Sequence, residues 1–222
     1  LIGGKPSLVA LWRECNRLIP AGQKGAAIRS LRLWPTAAGS YLPATDMRRA
    51  DDDPEIQRLV KVFDLAVDFL GDDIPSDLKQ LREVVEGFEL GDLVDALEAS
   101  EVRNGGKLVE VGNEDRNGLF RWILDCKKEI EGDPSLKDRL RSLPLYPTKN
   151  EPCSLKDARL PTDFKDPLGI ARTIDTTALE GVEELLELLD AAPLDFETYC
   201  TEFLPKFFED NLVDHNYSIG YH

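Results

Sequence analysis

The sequence predicts a helix-rich α+β fold of two tandem repeat units, each a small β-sheet with several amphipathic helices. Three observations carry that expectation. First, Ile28-Arg29-Ser30-Leu31-Arg32-Leu33-Trp34-Pro35-Thr36 returns as Leu140-Arg141-Ser142-Leu143-Pro144-Leu145-Tyr146-Pro147-Thr148, so that Leu31 recurs 112 residues on as Leu143. Second, Leu8, Cys15 and Ile19 recur 111 residues on as Leu119, Cys126 and Ile130. Third, apolar residues three and four apart mark helical faces on both sides of each motif. The expected units are residues 1–115 and 116–210, with 211–222 a tail or the start of a following segment.

In the first unit, Leu8, Leu11, Trp12, Cys15, Leu18 and Ile19 line one helical face behind a Ser7 cap, and Pro20 and Gly22 end the helix. Leu31 and Leu33 alternate and lead into Trp34-Pro35-Thr36, which reads as a short strand with the proline at its end or on an edge. Ala37-Ala38-Gly39 then turns the chain into a return strand at Tyr41-Leu42. The stretch from Ile56 to Leu70 begins with helical spacing and ends in an alternation, Phe63 to Phe69, that reads as strand. Ser76 is placed as the cap of a helix carrying Leu78, Leu81, Val84, Val85 and Phe88, followed by Leu90, Leu93, Val94 and Leu97.

The second unit runs in the same order. Asn117 caps a helix through Leu119, Phe120, Trp122, Ile123, Cys126 and Ile130, closed by Gly132-Asp133-Pro134. A short helix from Leu136 to Arg141 feeds the motif, in which Leu143 and Leu145 alternate before Tyr146-Pro147-Thr148. Ser154-Leu155 is the return strand, and Asp166 to Asp175 is too short and too rich in Thr and Ile for a helix. Thr177 caps Leu179, Val182, Leu185, Leu186 and Leu189, with Glu183, Glu184, Glu187 and Asp190 forming the wet face of that helix; Phe196, Tyr199, Phe203 and Leu204 follow.

Composition bounds the chemistry. The 222 residues carry a net charge of −15, which disfavours a broad nucleic-acid surface. The charge is uneven: residues 1–50 hold eight Lys and Arg against Glu14 and Asp46, so a basic end is available to dock an acidic neighbour, with solvated surface as the plainer reading. No apolar run approaches the roughly 20 residues that span a bilayer. Cys15, Cys126, Cys153 and Cys200 lack zinc-site spacing; Cys15 and Cys126, at matching places on amphipathic stretches, read as small buried core residues, and the absence of a visible leader points to a reducing, cytoplasmic setting. The sequence starts at Leu1 and its only methionine is Met47, so it reads as part of a longer polypeptide.

Catalytic signatures are sparse. There is no G-x-G-x-x-G and no P-loop, because Lys107 follows Gly105-Gly106 without a downstream Ser or Thr. The two histidines, His215 and His222, both lie in the tail, and no G-x-S-x-G accompanies them. Asp51-Asp52-Asp53 before Pro54 offers either oxygen ligands for a hard cation or a capped turn. Trp12, Trp34 and Trp122 occupy positions that are apolar in both copies and read as core rather than as an aromatic recognition site. Arg29 and Arg141, retained in both copies, read as covering the last carbonyls of a helix or as contacts between units. No cofactor, metal ligand or catalytic residue is assigned; the residues singled out are Arg29, Leu31, Leu33, Trp34, Pro35 and Thr36 with Arg141, Leu143, Leu145, Tyr146, Pro147 and Thr148.

Leu143-Pro144-Leu145-Tyr146-Pro147-Thr148, followed by Ser154-Leu155 and Leu160-Pro161, resembles the internal repeats of sacsin and sacsin-like proteins, in which an L-P-x-[FY]-x-T strand precedes a loop, "SL" and "LP". Leu185-Leu186-Glu187-Leu188-Leu189 with Phe196, Tyr199 and Phe203-Leu204-Pro205 is similar to that repeat's ending. Copy one departs from the pattern, with Arg32 for the first proline and Trp34 for the aromatic. The resemblance implies a long cytoplasmic parent in which Hsp90-like ATPase domains precede such repeats; their E-x-x-x-N and D-x-G-x-G signatures are not seen here. It implies a non-enzymatic, chaperone-associated scaffold whose partners are other domains of the parent and protein clients, with neither nucleic acid nor membrane. The rivals are a small metal-dependent hydrolase using Asp51 to Asp53 and the tail histidines, and a regulator of the parent's ATPase domain.

Overall fold

The computed structural model describes residues 4–19, 26–50 and 53–212. Within them the protein is a helix-rich α+β chain that divides into two compact units between Ser100 and Glu101, upstream of the 115/116 break expected from the repeat spacing.

Unit 1 opens with α1 (Gly4–Leu18), whose apolar stripe puts Trp12 and Cys15 into the core together with Ile19 just beyond it. Ser7 lies inside this helix rather than capping it, and Pro20 and Gly22 lie outside the described residues. After α2 (Ala26–Arg29) the chain does not enter a strand at Leu31. Leu33 N–H donates to Leu31 C=O at 2.8 Å, an i→i+2 bond that makes a tight three-residue turn. This turn places Leu31 on the surface, 49% exposed, and leaves Leu33 half-buried, so the expected strand shrinks to β1 (Trp34–Pro35). It pairs antiparallel with β2 (Tyr41–Leu42), Trp34 opposite Leu42, as the hairpin reading expects.

Asp53 then caps α3 (Pro54–Val62), accepting from Glu55 N at 3.0 Å and Ile56 N at 3.2 Å. The helix stops because Asp64 takes φ +50° while Leu65 N–H reaches back to Val60 C=O at 2.9 Å, a left-handed helix end with Asp in place of the usual glycine. The strand reading of Phe63 to Phe69 holds only at its far end, where Phe69 and Leu70 bridge to other segments. The short α4 (Lys79–Arg82) starts after Leu78 with no side-chain cap, so Ser76 does not serve as one. The last helix of the unit, α5 (Leu90–Arg103), buries Leu90, Leu93, Val94 and Leu97.

Unit 2 contains α6 (Asn113–Asp125), α7 (Lys127–Gly132) and α8 (Pro134–Ser142). α6 begins four residues before the expected Asn117 cap, and Asn117 lies within it. Asp133 caps α8 through Ser135 N at 2.9 Å and Leu136 N at 3.2 Å, the same Asp-Pro device as at Asp53-Pro54. Leu143 then closes α8, and Leu145 N–H donates to Leu143 C=O at 2.9 Å, so here too the leucines belong to a turn. Tyr146 bridges antiparallel to Cys153, one residue before the expected return at Ser154-Leu155. Two strands complete the frame: β3 (Ala158–Arg159), which no sequence signal announced, and β4 (Arg172–Thr173), parallel to it. A 3₁₀ turn, Thr176–Leu179, is capped by Asp175 rather than Thr177. It is followed by α9 (Glu184–Leu188), with Leu185, Leu186 and Leu189 buried and Glu183, Glu184, Glu187 and Asp190 exposed. The short α10 (Phe196–Thr198) passes through a π-helical turn, Tyr199–Phe203, into α11 (Leu204–Leu212).

The unequal placement of matched leucines gives a direct test. Leu143→Ala, at a buried position, is expected to cost about 2–5 kcal/mol in urea melts, and Leu31→Ala less than about 0.5 kcal/mol. Equal losses would contradict the turn.

Candidate functional site

The motif residues converge on a miniature sheet in each unit. In unit 1, Thr36 bridges antiparallel to Leu70, Arg48 runs parallel to Phe69, and Arg49 runs parallel to Gly87. In unit 2, Thr148 bridges antiparallel to Ile174, Arg159 pairs parallel with Thr173, and Leu160 runs parallel to Pro193. Four bonds recur at matched places. Gly71 N donates to Pro35 O at 2.8 Å, and Asp175 N to Pro147 O at 2.8 Å; Leu70 N donates to Arg48 O at 2.8 Å, and Ile174 N to Arg159 O at 3.0 Å. Arg49 N donates to Glu86 O at 2.8 Å, and Leu160 N to Ala192 O at 2.8 Å, while Phe88 N and Leu194 N return to Arg49 O and Leu160 O, both at 2.9 Å.

Two arginines that sequence reasoning missed brace these frames. Arg48 donates from Nη1 to Met47 O at 3.0 Å and from Nε to Asp92 Oδ1 at 2.8 Å on α5. Arg159 donates from Nη1 to Ala158 O at 2.8 Å and Lys156 O at 2.9 Å, and from Nη2 to Glu202 in the π-helical turn. Its guanidinium also sits 5.7 Å from the centre of the Phe203 ring, a cation–π distance. A signal for both was present in the sequence: Asp46-Met47-Arg48 recurs as Asp157-Ala158-Arg159 at the same 111-residue spacing as Cys15 and Cys126.

The predicted motif residues divide between core and rim. Trp34, Pro35, Thr36, Leu143, Leu145, Tyr146 and Pro147 are buried and Thr148 is half-buried. Tyr146 stacks on Phe120 at 5.6 Å, and its hydroxyl donates to Leu140 O at 2.9 Å; burial pushes this phenol well above the usual tyrosine range, keeping it a neutral donor. Arg29 donates to Glu86 Oε1 at 2.7 Å, a bond within its own unit instead of a helix-end cover or a contact between units. The Nε atoms of Arg29 and Arg141 are both buried without a hydrogen-bond partner.

Trp12 and Trp34 are core residues as expected, with Trp12 Nε1 donating to Leu33 O at 3.0 Å, while Trp122 is only half-buried. None of the four cysteines forms a disulfide; Cys15 is buried as expected, Cys126 is only half-buried rather than core, and burial pushes the buried Cys153 up to about 11, away from the reactive thiolate. Asp53 spends its carboxylate on the start of α3, whereas Asp51, Asp52, His215 and His222 lie outside the described residues, as does the tail from residue 213. Among the described residues, no three His, Cys, Asp or Glu side chains gather as a metal-holding group, and no helix is long and apolar enough to cross a membrane.

The surface of unit 1 carries two neighbouring depressions. One, of about 540 Å³, is lined by Arg49, Ser76, Lys79 and Arg82 with Asp72 and Glu83. The other, of about 470 Å³, is lined by Arg13, Asn16, Arg17, Asp77, Lys79 and Gln80. A third, of about 330 Å³, is bounded by the Arg48–Asp92 pair with Asp46, Asp68 and Asp95.

Gly71 is a close approach in the unit 1 frame, where an added Cβ would stand 2.8 Å from the Thr36 carbonyl oxygen. Gly71→Ala is therefore expected to destabilise by about 1–3 kcal/mol. Gly91→Ala, in open space on α5, should be neutral or stabilising by up to about 1 kcal/mol; thermal melts that rank the two the other way would contradict the frame. No protein family, curated protein or solved structure matches this chain.

Proposed function

We propose that the two units are copies of one repeat and that the chain is a non-catalytic structural and protein-interaction module of a large, sacsin-like, chaperone-associated cytoplasmic protein. The observation that carries this reading is the sheet frame, whose bonds recur in the same order with donor–acceptor distances agreeing within 0.2 Å. Duplication of a frame multiplies surface. It does not create the single constellation of acid, base and nucleophile that catalysis needs. Trp34 with Tyr146 and Arg48 with Arg159, at matched places in the two frames, are committed to packing, to backbone carbonyls and to a carboxylate of their own unit. The sacsin-like motif supports the choice of parent, and the charge difference between residues 1–50 and the remainder supports work through protein contacts.

Two measurements on the purified chain test this. The Hsp90-like ATPase domain of the parent is titrated onto immobilised chain, and light scattering of a thermally unfolding reporter enzyme is followed with and without it. Saturable binding to the ATPase domain or suppression of scattering is the expected outcome. Neither response, or turnover of ester or phosphodiester substrates that Asp53→Ala and His215→Ala abolish, contradicts the reading and favours a hydrolase.

A further inference from the structure

We propose that unit 1 carries a docking surface for an acidic peptide segment, formed by the two basic depressions that adjoin at Lys79; the inference rests on reading the chain as an interaction module. The two depressions place Arg13, Arg17, Arg49, Lys79 and Arg82 along one stretch of surface in a chain whose net charge is −15. A run of cations in a strongly acidic protein is a focused exception to its field, and such foci steer oppositely charged partners.

The cations are presented on a fixed scaffold. Arg49 Nη1 donates to Val85 O at 3.0 Å and to Arg82 O at 3.3 Å, while Arg82 Nη1 donates to Ile74 O at 3.3 Å. α4 is in turn fastened to α1: Leu81 N donates to Asn16 Oδ1 at 2.8 Å, and the Gln80 amide donates to Asn16 O at 3.0 Å and Ile19 O at 2.8 Å. Arg82, held through Nη1, loses little rotamer freedom when a carboxylate engages its other nitrogens. Arg13 and Lys79 are exposed and form no ion pair among the described residues, so their charge is available to a partner. Arg17, by contrast, pairs with Glu14 on its own helix.

The rim selects the partner class. Asp72, Asp77 and Glu83 interrupt the cations, and a continuous phosphate backbone laid over them would meet repulsion at each. A peptide alternates carboxylates, which suit Arg and Lys, with backbone N–H donors, which suit Asp, Glu and the Ser76 hydroxyl. The surface belongs to unit 1 alone. Arg49 is matched in the unit 2 frame by Leu160, and α9, which lies between Ile174 and Pro193 as α4 lies between Leu70 and Gly87, exposes Glu184 and Glu187.

The test uses the whole chain and a fluorescein-labelled hexaglutamate probe, read by fluorescence anisotropy at low salt with hexaglutamine as the uncharged control. Saturable binding of hexaglutamate but not hexaglutamine is expected. It should weaken at least about tenfold in R13E/K79E and less than about twofold in K128E/K165E, a variant with the same charge change at exposed positions of unit 2. Unchanged circular dichroism melts show that both variants are folded. Absence of saturation, equal weakening in the two variants, or displacement of the peptide by an equally long single-stranded oligonucleotide at lower concentration than by unlabelled hexaglutamate overturns the proposal. A chain that fails here yet binds the parent's ATPase domain loses only this surface, not the interaction reading.

Discussion

Each unit depends on a two-residue segment that gives both edges of its backbone to neighbours distant in sequence. Arg48 bonds one way to Asp68 and Leu70, and Arg49 bonds the other way to Glu86 and Phe88. Arg159 and Leu160 do the same with the segments around Thr173 and Pro193. Buried backbone donors and acceptors must be paired, and in strands this short no local ladder can pair them. The frame therefore closes only when the hairpin, the return segment and the chain preceding the last helix have all arrived. This makes each unit cooperative despite the scarcity of regular strand.

The side chains around that segment serve the same end by different means. Arg48 and Arg159 each turn Nη1 onto carbonyls of their own turn and reach a carboxylate on the unit's final helical segment. The aromatic at the strand start fills the core in both units, although Trp34 Nε1 is left without a partner while the Tyr146 hydroxyl finds Leu140 O. The units differ in their interiors, where Leu31 and Leu33 are exposed and half-buried but Leu143 and Leu145 are buried, and they differ again at the surface. Unit 1 collects its cations around α4, and the corresponding helix of unit 2 is acidic.

Much of this was legible in the sequence because it is local. The spacing of Trp12, Cys15 and Ile19, or of Leu185, Leu186 and Leu189, fixes a helical face within two turns, and the hairpin at Trp34 and Leu42 follows from its own turn. Alternation misled at Leu31-Leu33 and Leu143-Leu145, because an i→i+2 bond closes a tight turn there where a strand would run straight on. Caps misled where a helix began earlier, as at Ser7 and Asn117, or where Asp175 took the role given to Thr177. β3 was invisible because Ala158-Arg159 has no strand propensity of its own; its partners lie 14 or more residues away. The basic depressions were legible only in part: the cation excess of residues 1–50 includes Arg13, Arg17 and Arg49, but Lys79 and Arg82 join them only through the folded chain.

Amide hydrogen exchange read residue by residue is the most direct measurement of that frame. Leu70, Gly71 and Phe88 in unit 1, and Ile174, Asp175 and Leu194 in unit 2, are predicted to be among the slowest-exchanging amides of their units, opening only with global unfolding. Exchange of either set as fast as that of exposed turns such as Gly105-Gly106, while the helices stay protected, would contradict the shared frame.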